Sequence, residues 1–141
     1  MKWTNNKTIL ITGATNGIGK AAAIKFAETA KSIAFTYRNE ELAEDLKNEM
    51  QKINPNLSIN SFFCDFSVQD SIRECADKIK NDLKAIDLLI NNAGVVNTEY
   101  SETIDGIENT FAVNHLGYFL FTNLLLDCLL YTSDAADDFV R

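Results

Sequence analysis

At 141 residues, 46% of them hydrophobic and only one of them proline, the chain is long enough for one domain with a real core and has the composition of globular material. A formal charge of -7, with Lys and Arg scattered along the chain, excludes a nucleic-acid surface, which needs a basic stripe to neutralise phosphates. Cys64, Cys75 and Cys128 form no C-x-x-C pair and have only His115 as an imidazole companion, so neither a disulfide framework nor a metal site is expected, and a reducing, cytoplasmic setting is.

The amino terminus is polar up to Lys7 and leads directly into an apolar run, so it does not read as a secretory signal. Thr8 to Thr12 ends at a glycine and has the near-continuous apolar character of a parallel strand covered on both faces. From Ile18 the period changes. Ile18, Ala22 and Phe26 recur at helical spacing, and the run Ala21-Ala22-Ala23 favours a helix that packs closely. Ser32 to Tyr37 is the second strand. Asn39 is expected to cap the next helix, with Glu40 and Glu41 near the positive end of its dipole, Leu42, Leu46 and Met50 on its inner face, and Pro55 marking the break.

Ser58 to Cys64 reads as the third strand, with Asp65 at its carboxyl end. Ser67 is expected to cap a helix that turns Ile72, Cys75, Ala76 and Ile79 inward, and Ile86 to Ile90 makes the fourth strand. A long helix is expected from Ile107, and its Leu116, Phe119, Leu120, Asn123, Leu124 face suits a core or a subunit interface. The apolar stretch from Leu116 to Leu130 is interrupted by Asn123 and Asp127 and is too short to span a bilayer. Strands alternating with helices at this spacing predict an α/β fold. It is a Rossmann-type, doubly wound parallel sheet in the strand order three, two, one, four, truncated after the fourth strand and the following helix.

Between the first strand and the first helix lies Thr12-Gly13-Ala14-Thr15-Asn16-Gly17-Ile18-Gly19. Its three glycines suit three needs: a tight turn out of the strand, an approach of backbone to a pyrophosphate, and a helix start free of a side chain against the sheet. The free N–H groups and the dipole of that helix then favour the negative charge. The spacing G-x-x-x-G-x-G, together with Asn91-Asn92-Ala93-Gly94 after the fourth strand, resembles the short-chain dehydrogenase/reductase family. The segment from Asp105 to Gly117 is similar to its retinol-dehydrogenase-like branch, and the resemblance covers about Lys7 to Asp127.

The resemblance implies that Gly13, Asn16, Ile18 and Gly19 line a pyrophosphate site, with Thr15 and Gly17 also binding the cofactor, that Asp65 meets the adenine amino group, and that Asn91, Asn92, Ala93 and Gly94 wall the adenosine-ribose region. It gives Asn114 a part in holding a proton-relay water. From the residues alone, Asp65 equally caps the next turn and Asn114 equally satisfies backbone groups. His115 is assigned no chemical role. The resemblance also implies a small-molecule alcohol or carbonyl substrate and a homodimer through the helix after Ile107. Ala30 stands where the family usually has the glycine that closes the first helix, so a left-handed cap there would be strained.

An NAD site needs a carboxylate at the end of the second strand, whereas this strand ends Thr36-Tyr37-Arg38. Arg38 suits the 2'-phosphate of NADP, the favoured cofactor. NAD remains the alternative if Arg38 pairs with Glu41 and Glu40 serves the ribose.

The family's mechanism transfers a hydride between nicotinamide and substrate while a tyrosine, its pKa lowered by a lysine four residues on, transfers the proton. Tyr37, Tyr100, Tyr118 and Tyr131 are followed at that spacing by Glu41, Ile104, Thr122 and Ala135, and the last lysine is Lys84. The expected assignment is therefore residues 1–127 as an incomplete NAD(P)-binding domain and 128–141 as a non-native tail. From Cys128 that tail reads as a translated transposase-type sequencing adapter, the other reading being a natural helix end with an acidic extension. A rival function is a non-catalytic nucleotide sensor or interaction protein built on half a Rossmann domain.

Overall fold

The structure is a computed structural model and describes residues 2–130. The stretch from Tyr131 on, with most of the expected non-native tail, lies outside the described residues. Four parallel strands, β1 (Thr8–Ile11), β2 (Ser32–Tyr37), β3 (Ser58–Phe63) and β4 (Leu88–Ile90), lie in the order β3-β2-β1-β4. The helices are α1 (Gly17–Ala27), α2 (Glu40–Ile53), α3 (Gln69–Leu83), α4 (Asn109–Phe111), α5 (Gly117–Leu124) and α6 (Leu126–Leu130), with a π turn over Ala112–Leu116 joining α4 to α5.

The register sets Ile9 beside Ile33 and Leu88, and Ile11 beside Phe35 and Ile90. Side chains alternate along a strand, so Ile9, Ile11, Ile33 and Phe35 join a core with α1 and α2, while Leu10, Ala34 and Phe62 join a second core with α3 and α5. Helices therefore cover both faces of the sheet, which is why β1 carries no polar alternation: Ile9, Leu10 and Ile11 are all 0% exposed. Burial of each such side chain contributes roughly 1.5–3 kcal/mol.

The carboxamide of Asn39 caps α2 as expected, accepting the Leu42 N–H at 3.0 Å. Four other expectations are corrected. Ile18 is 84% exposed and Leu42 39%, because both stand at the rim of a cleft; Gly19, Ala23 and Phe26 make the inner face of α1, and Ala43 takes the inner place in α2. Ser67 does not cap α3. Its N–H and hydroxyl both donate to Asp65 Oδ1, at 2.9 and 2.7 Å, and the Gln69 N–H of the first turn is taken by Asp105 Oδ2 from a distant loop, at 2.9 Å.

The long helix begins at Asn109, because the Glu108 carboxylate accepts the N–H groups of Thr110 and Phe111 and so caps it there. It is broken by the π turn and again at Leu125, whose φ of -101° and ψ of 2° leave the helical region. Finally, Ala30 is not in the left-handed region. Its N–H returns to the Phe26 carbonyl at 2.8 Å as a continuation of the helix, so no strain is stored at that residue. Positive φ at a residue with a side chain occurs instead at Asn6 and Lys84. Lys84, at φ 57° and ψ -48°, centres a tight turn closed by the Ala85 N–H to the Leu83 carbonyl at 2.6 Å, just before β4.

Candidate functional site

All four strands run the same way, so their carboxyl ends and the loops that follow meet on one side, where α/β sheets of this order bind ligands. A cleft of about 550 Å³ opens there. Of the residues singled out in the sequence, Gly13, Thr15, Asn16, Gly17, Ile18, Arg38, Asp65, Ala93 and Gly94 line it. Gly19 and Asn91 do not. Gly19 packs behind the loop, where an added methyl would collide with the Gly13 carbonyl and the Asn92 carboxamide. Asn91 turns away, and its Nδ2 donates to Thr122 Oγ1 at 3.1 Å.

The floor of the cleft is held by a buried polar joint between two segments that the sequence marked separately. Thr12 Oγ1 accepts the N–H groups of Asn92 and Ala93, at 2.9 and 3.0 Å, while Asn92 Nδ2 donates to the Thr12 and Gly13 carbonyls at 3.2 and 3.0 Å. The glycine loop and the 91–94 segment thus form one piece. Gly13 has φ +64°, and a Cβ on it would lie 2.6 Å from Ala93 Cα. Only glycine fits there without displacing the 91–94 backbone. Thr12 is fully buried where β1 leaves the sheet, which the sequence does not disclose. Leu42, Cys64, Phe66, Val95 and Val113 also line the cleft, and each sits one or two residues from, or one helical turn beyond, a motif residue.

The cleft has the features of an anion and nucleotide cradle. Asn16 precedes α1 without a side-chain cap, in contrast to Asn39 before α2, so the first N–H groups of α1 are left for a ligand. Arg38 is exposed at the end of β2, and no described carboxylate forms an ion pair with it; the described pairs all involve lysine. Asp65 Oδ1 is committed to Ser67, which is the turn-capping role, and the carboxylate as a whole still lines the cleft. The Cys64 thiol beside it is pushed far up in pKa, by its contact with the Cys75 thiol first and by burial second, so it stays a neutral wall group.

Asn114 stands in the π turn, outside the cleft lining, and its carboxamide clamps one residue: Oδ1 accepts the Val95 N–H at 2.9 Å and Nδ2 donates to the Val95 carbonyl at 2.7 Å. That fixes the chain just past Gly94 and leaves one N–H and one lone pair of the amide for another group. His115 stacks on Phe111, with ring centroids 5.2 Å apart. Among the described residues no cluster of His, Cys, Asp or Glu has a metal-binding arrangement, and no helix is long and apolar enough to cross a membrane.

The family model for short chain dehydrogenases matches residues 7–136. The chain belongs to that family. Human retinol dehydrogenase 13 is 42% identical over 123 residues, which are 87% of this chain and 37% of the relative. Two solved structures superpose at a TM-score of 0.75 with 25% identity. NAD+-bound xylitol dehydrogenase is matched over 91% of this chain and 50% of its own, and YwfH, an NADPH dependent reductase involved in bacilysin biosynthesis, over 90% and 54%. This short-chain dehydrogenase chain thus spans well under half the length of the retinol dehydrogenase it resembles. Its family is one of oxidoreductases that use NAD(P), and its fold is a Rossmann-type parallel sheet with retinol dehydrogenases among its relatives.

Proposed function

We propose that this chain is the cofactor-binding, amino-terminal portion of an NADP-dependent short-chain oxidoreductase acting on an alcohol or carbonyl substrate of retinol-dehydrogenase-like kind. The observation that carries the reading is the joined glycine loop and 91–94 segment under a cleft whose rim bears Arg38, with no ion pair to it among the described residues. The residues present fit a dinucleotide: Gly17 leaves room at the backbone, the uncapped start of α1 offers N–H groups for a pyrophosphate, and Asp65 and the 92–95 backbone wall the nucleoside end. When bound, the nicotinamide supplies or accepts the hydride.

The choice of NADP rests on Arg38. Asn39, its neighbour, is spent on capping α2, and Glu40 and Glu41 occupy the first helical turn, where the dipole alone accounts for them. The two structural relatives name different nicotinamide nucleotides, so the fold does not decide it. No tyrosine in the chain has a lysine four residues on, and the proton-transfer pair is assigned to a region that this chain does not contain. Asn114 would contribute by holding Val95 in place and offering its spare amide capacity to a water.

Calorimetric titration of the 141-residue chain with NADPH and with NADH tests the reading. NADPH should bind roughly tenfold or more tightly, as expected for a charge-assisted contact to phosphate. Equal affinities would remove the NADP assignment, and binding of neither nucleotide would remove the cofactor assignment.

A further inference from the structure

Tyr118 carries the one buried side-chain oxygen among the described residues that has no hydrogen-bond partner. It projects from α5, its ring tilted against Phe66 at a centroid distance of 5.4 Å. A buried phenol without a partner is costly, and such groups call for an explanation. Burial raises the Tyr118 pKa, and the Thr12 side chain is the one group that opposes the rise, so the two hydroxyls share a niche.

Thr12 has a complementary deficit. Both lone pairs of Oγ1 are occupied by the N–H groups of Asn92 and Ala93. Its single proton faces the Ile90 carbonyl at 3.5 Å, the outer edge of hydrogen-bond distance, and that carbonyl already takes the Thr12 N–H at 3.0 Å. One oxygen lacks a partner and the adjacent hydroxyl proton lacks a good acceptor. A hydrogen bond from the Thr12 hydroxyl to the Tyr118 oxygen would satisfy both.

We propose that Tyr118 is a positioning residue of the nucleotide cleft, its phenol oxygen accepting the Thr12 hydroxyl proton and so fixing the rotor that holds the Asn92 and Ala93 N–H groups. The consequence reaches the ligand because Ala93 is the surface on which Gly13 rests and the Asn92 carboxamide grips the Gly13 carbonyl. Freeing the Thr12 rotor loosens the spacing between the two loops that would enclose a pyrophosphate. The link from Tyr118 to nucleotide affinity rests on the proposed cofactor role; the link from Tyr118 to the two backbone amides does not.

Tyr118→Phe removes the oxygen and nothing else. In the chain without nucleotide, amide hydrogen exchange at Asn92 and Ala93 should speed up about three- to tenfold relative to β1, the loss expected for one neutral hydrogen bond. The NADPH dissociation constant should rise by a similar factor. In a Thr12→Val background, Tyr118→Phe should change neither exchange nor affinity further; if Thr12→Val does not fold, Thr12→Ser, which keeps the hydroxyl, must preserve the full Tyr118→Phe effect on exchange. Unchanged exchange at both amides with a raised Tm would mean that the phenol is simply an unsatisfied core group, and would overturn the proposal. An undiminished effect in Thr12→Val would overturn it as well. Failure of the unsubstituted chain to bind NADPH speaks against the cofactor assignment alone, since the exchange measurement involves no nucleotide.

Discussion

Replacing Gly13 and Gly17 separately by alanine should dissociate folding from binding, because the two glycines are required for different reasons. Both have positive φ, +64° at Gly13 and +54° at Gly17, so an alanine at either pays a left-handed backbone penalty of about 1–2 kcal/mol. Only at Gly13 does the new methyl meet protein, 2.6 Å from Ala93 Cα and 2.9 Å from Ala93 N, backbone atoms that are themselves held by Thr12. Overpacking against fixed backbone adds about 1–3 kcal/mol, so Gly13→Ala should cost roughly 2–5 kcal/mol in all. At about 4 °C per kcal/mol for a chain of this size, the loss in Tm is roughly 8–20 °C, against roughly 4–8 °C for Gly17→Ala. At Gly17 nothing lies within 4 Å of the added methyl, which would point into the space assigned to the pyrophosphate. Gly17→Ala should therefore weaken NADPH binding about tenfold or more while the fold is mostly retained. Scanning calorimetry and nucleotide titration of both variants provide the check. Equal Tm losses would show that the contact with Ala93 is not tight in solution, and normal NADPH affinity in Gly17→Ala would show that the pyrophosphate does not rest there.

Arg38→Ala should weaken NADPH roughly tenfold or more and leave NADH nearly unchanged, and equal losses in paired titrations would reduce Arg38 to a surface residue. Lys84→Gly should raise Tm, because it relieves a positive-φ backbone worth about 1–2 kcal/mol, less the extra freedom of glycine in the unfolded chain; a lower Tm would mean that the Lys84 side chain contributes more than its strain costs. Glu108 has its pKa lowered by the N–H groups of Phe111 first and Thr110 second, so its contribution to stability is present above the ordinary carboxylate pKa and is lost as pH falls below about 4. Glu108→Gln should flatten that part of the stability-pH curve, and an unchanged curve would dismiss the cap. Expressed alone, the chain should self-associate with rising concentration through β4, which ends the described sheet and bears no lysine or proline; sedimentation as a monomer at all concentrations would refute this.

The sheet was legible because its signals are local and redundant. A near-continuous apolar run in β1 requires helices on both faces, and the alternation of strand and helix lengths admits few connections, so the order of the strands followed. Helix starts were less legible. Asn39 caps α2 from the position its sequence indicates, but the first turn of α3 is satisfied by Asp105, thirty-odd residues downstream, and no window around Ser67 contains that information. The break of the expected long helix was hidden for the same reason. The π turn over Ala112–Leu116 follows no glycine or proline, and it coincides with Asn114 reaching out to clamp Val95, a tertiary contact.

At the candidate site the motifs gave positions, whereas the joints between motifs came only with the structure. Glycine spacing marks where backbone must approach something, but it does not say that Gly13 answers to Ala93 and Gly19 to the Gly13 carbonyl and Asn92. Thr12 is one threonine at the end of an apolar run by composition and the centre of four hydrogen bonds of 2.9 to 3.2 Å by geometry. Ile18 and Leu42 show the opposite case, since helical periodicity counted them as core although they stand open at the cleft, where an apolar group has a use only if something binds beside it. Of the two, Leu42 lies outside the glycine motif and lines the same cleft.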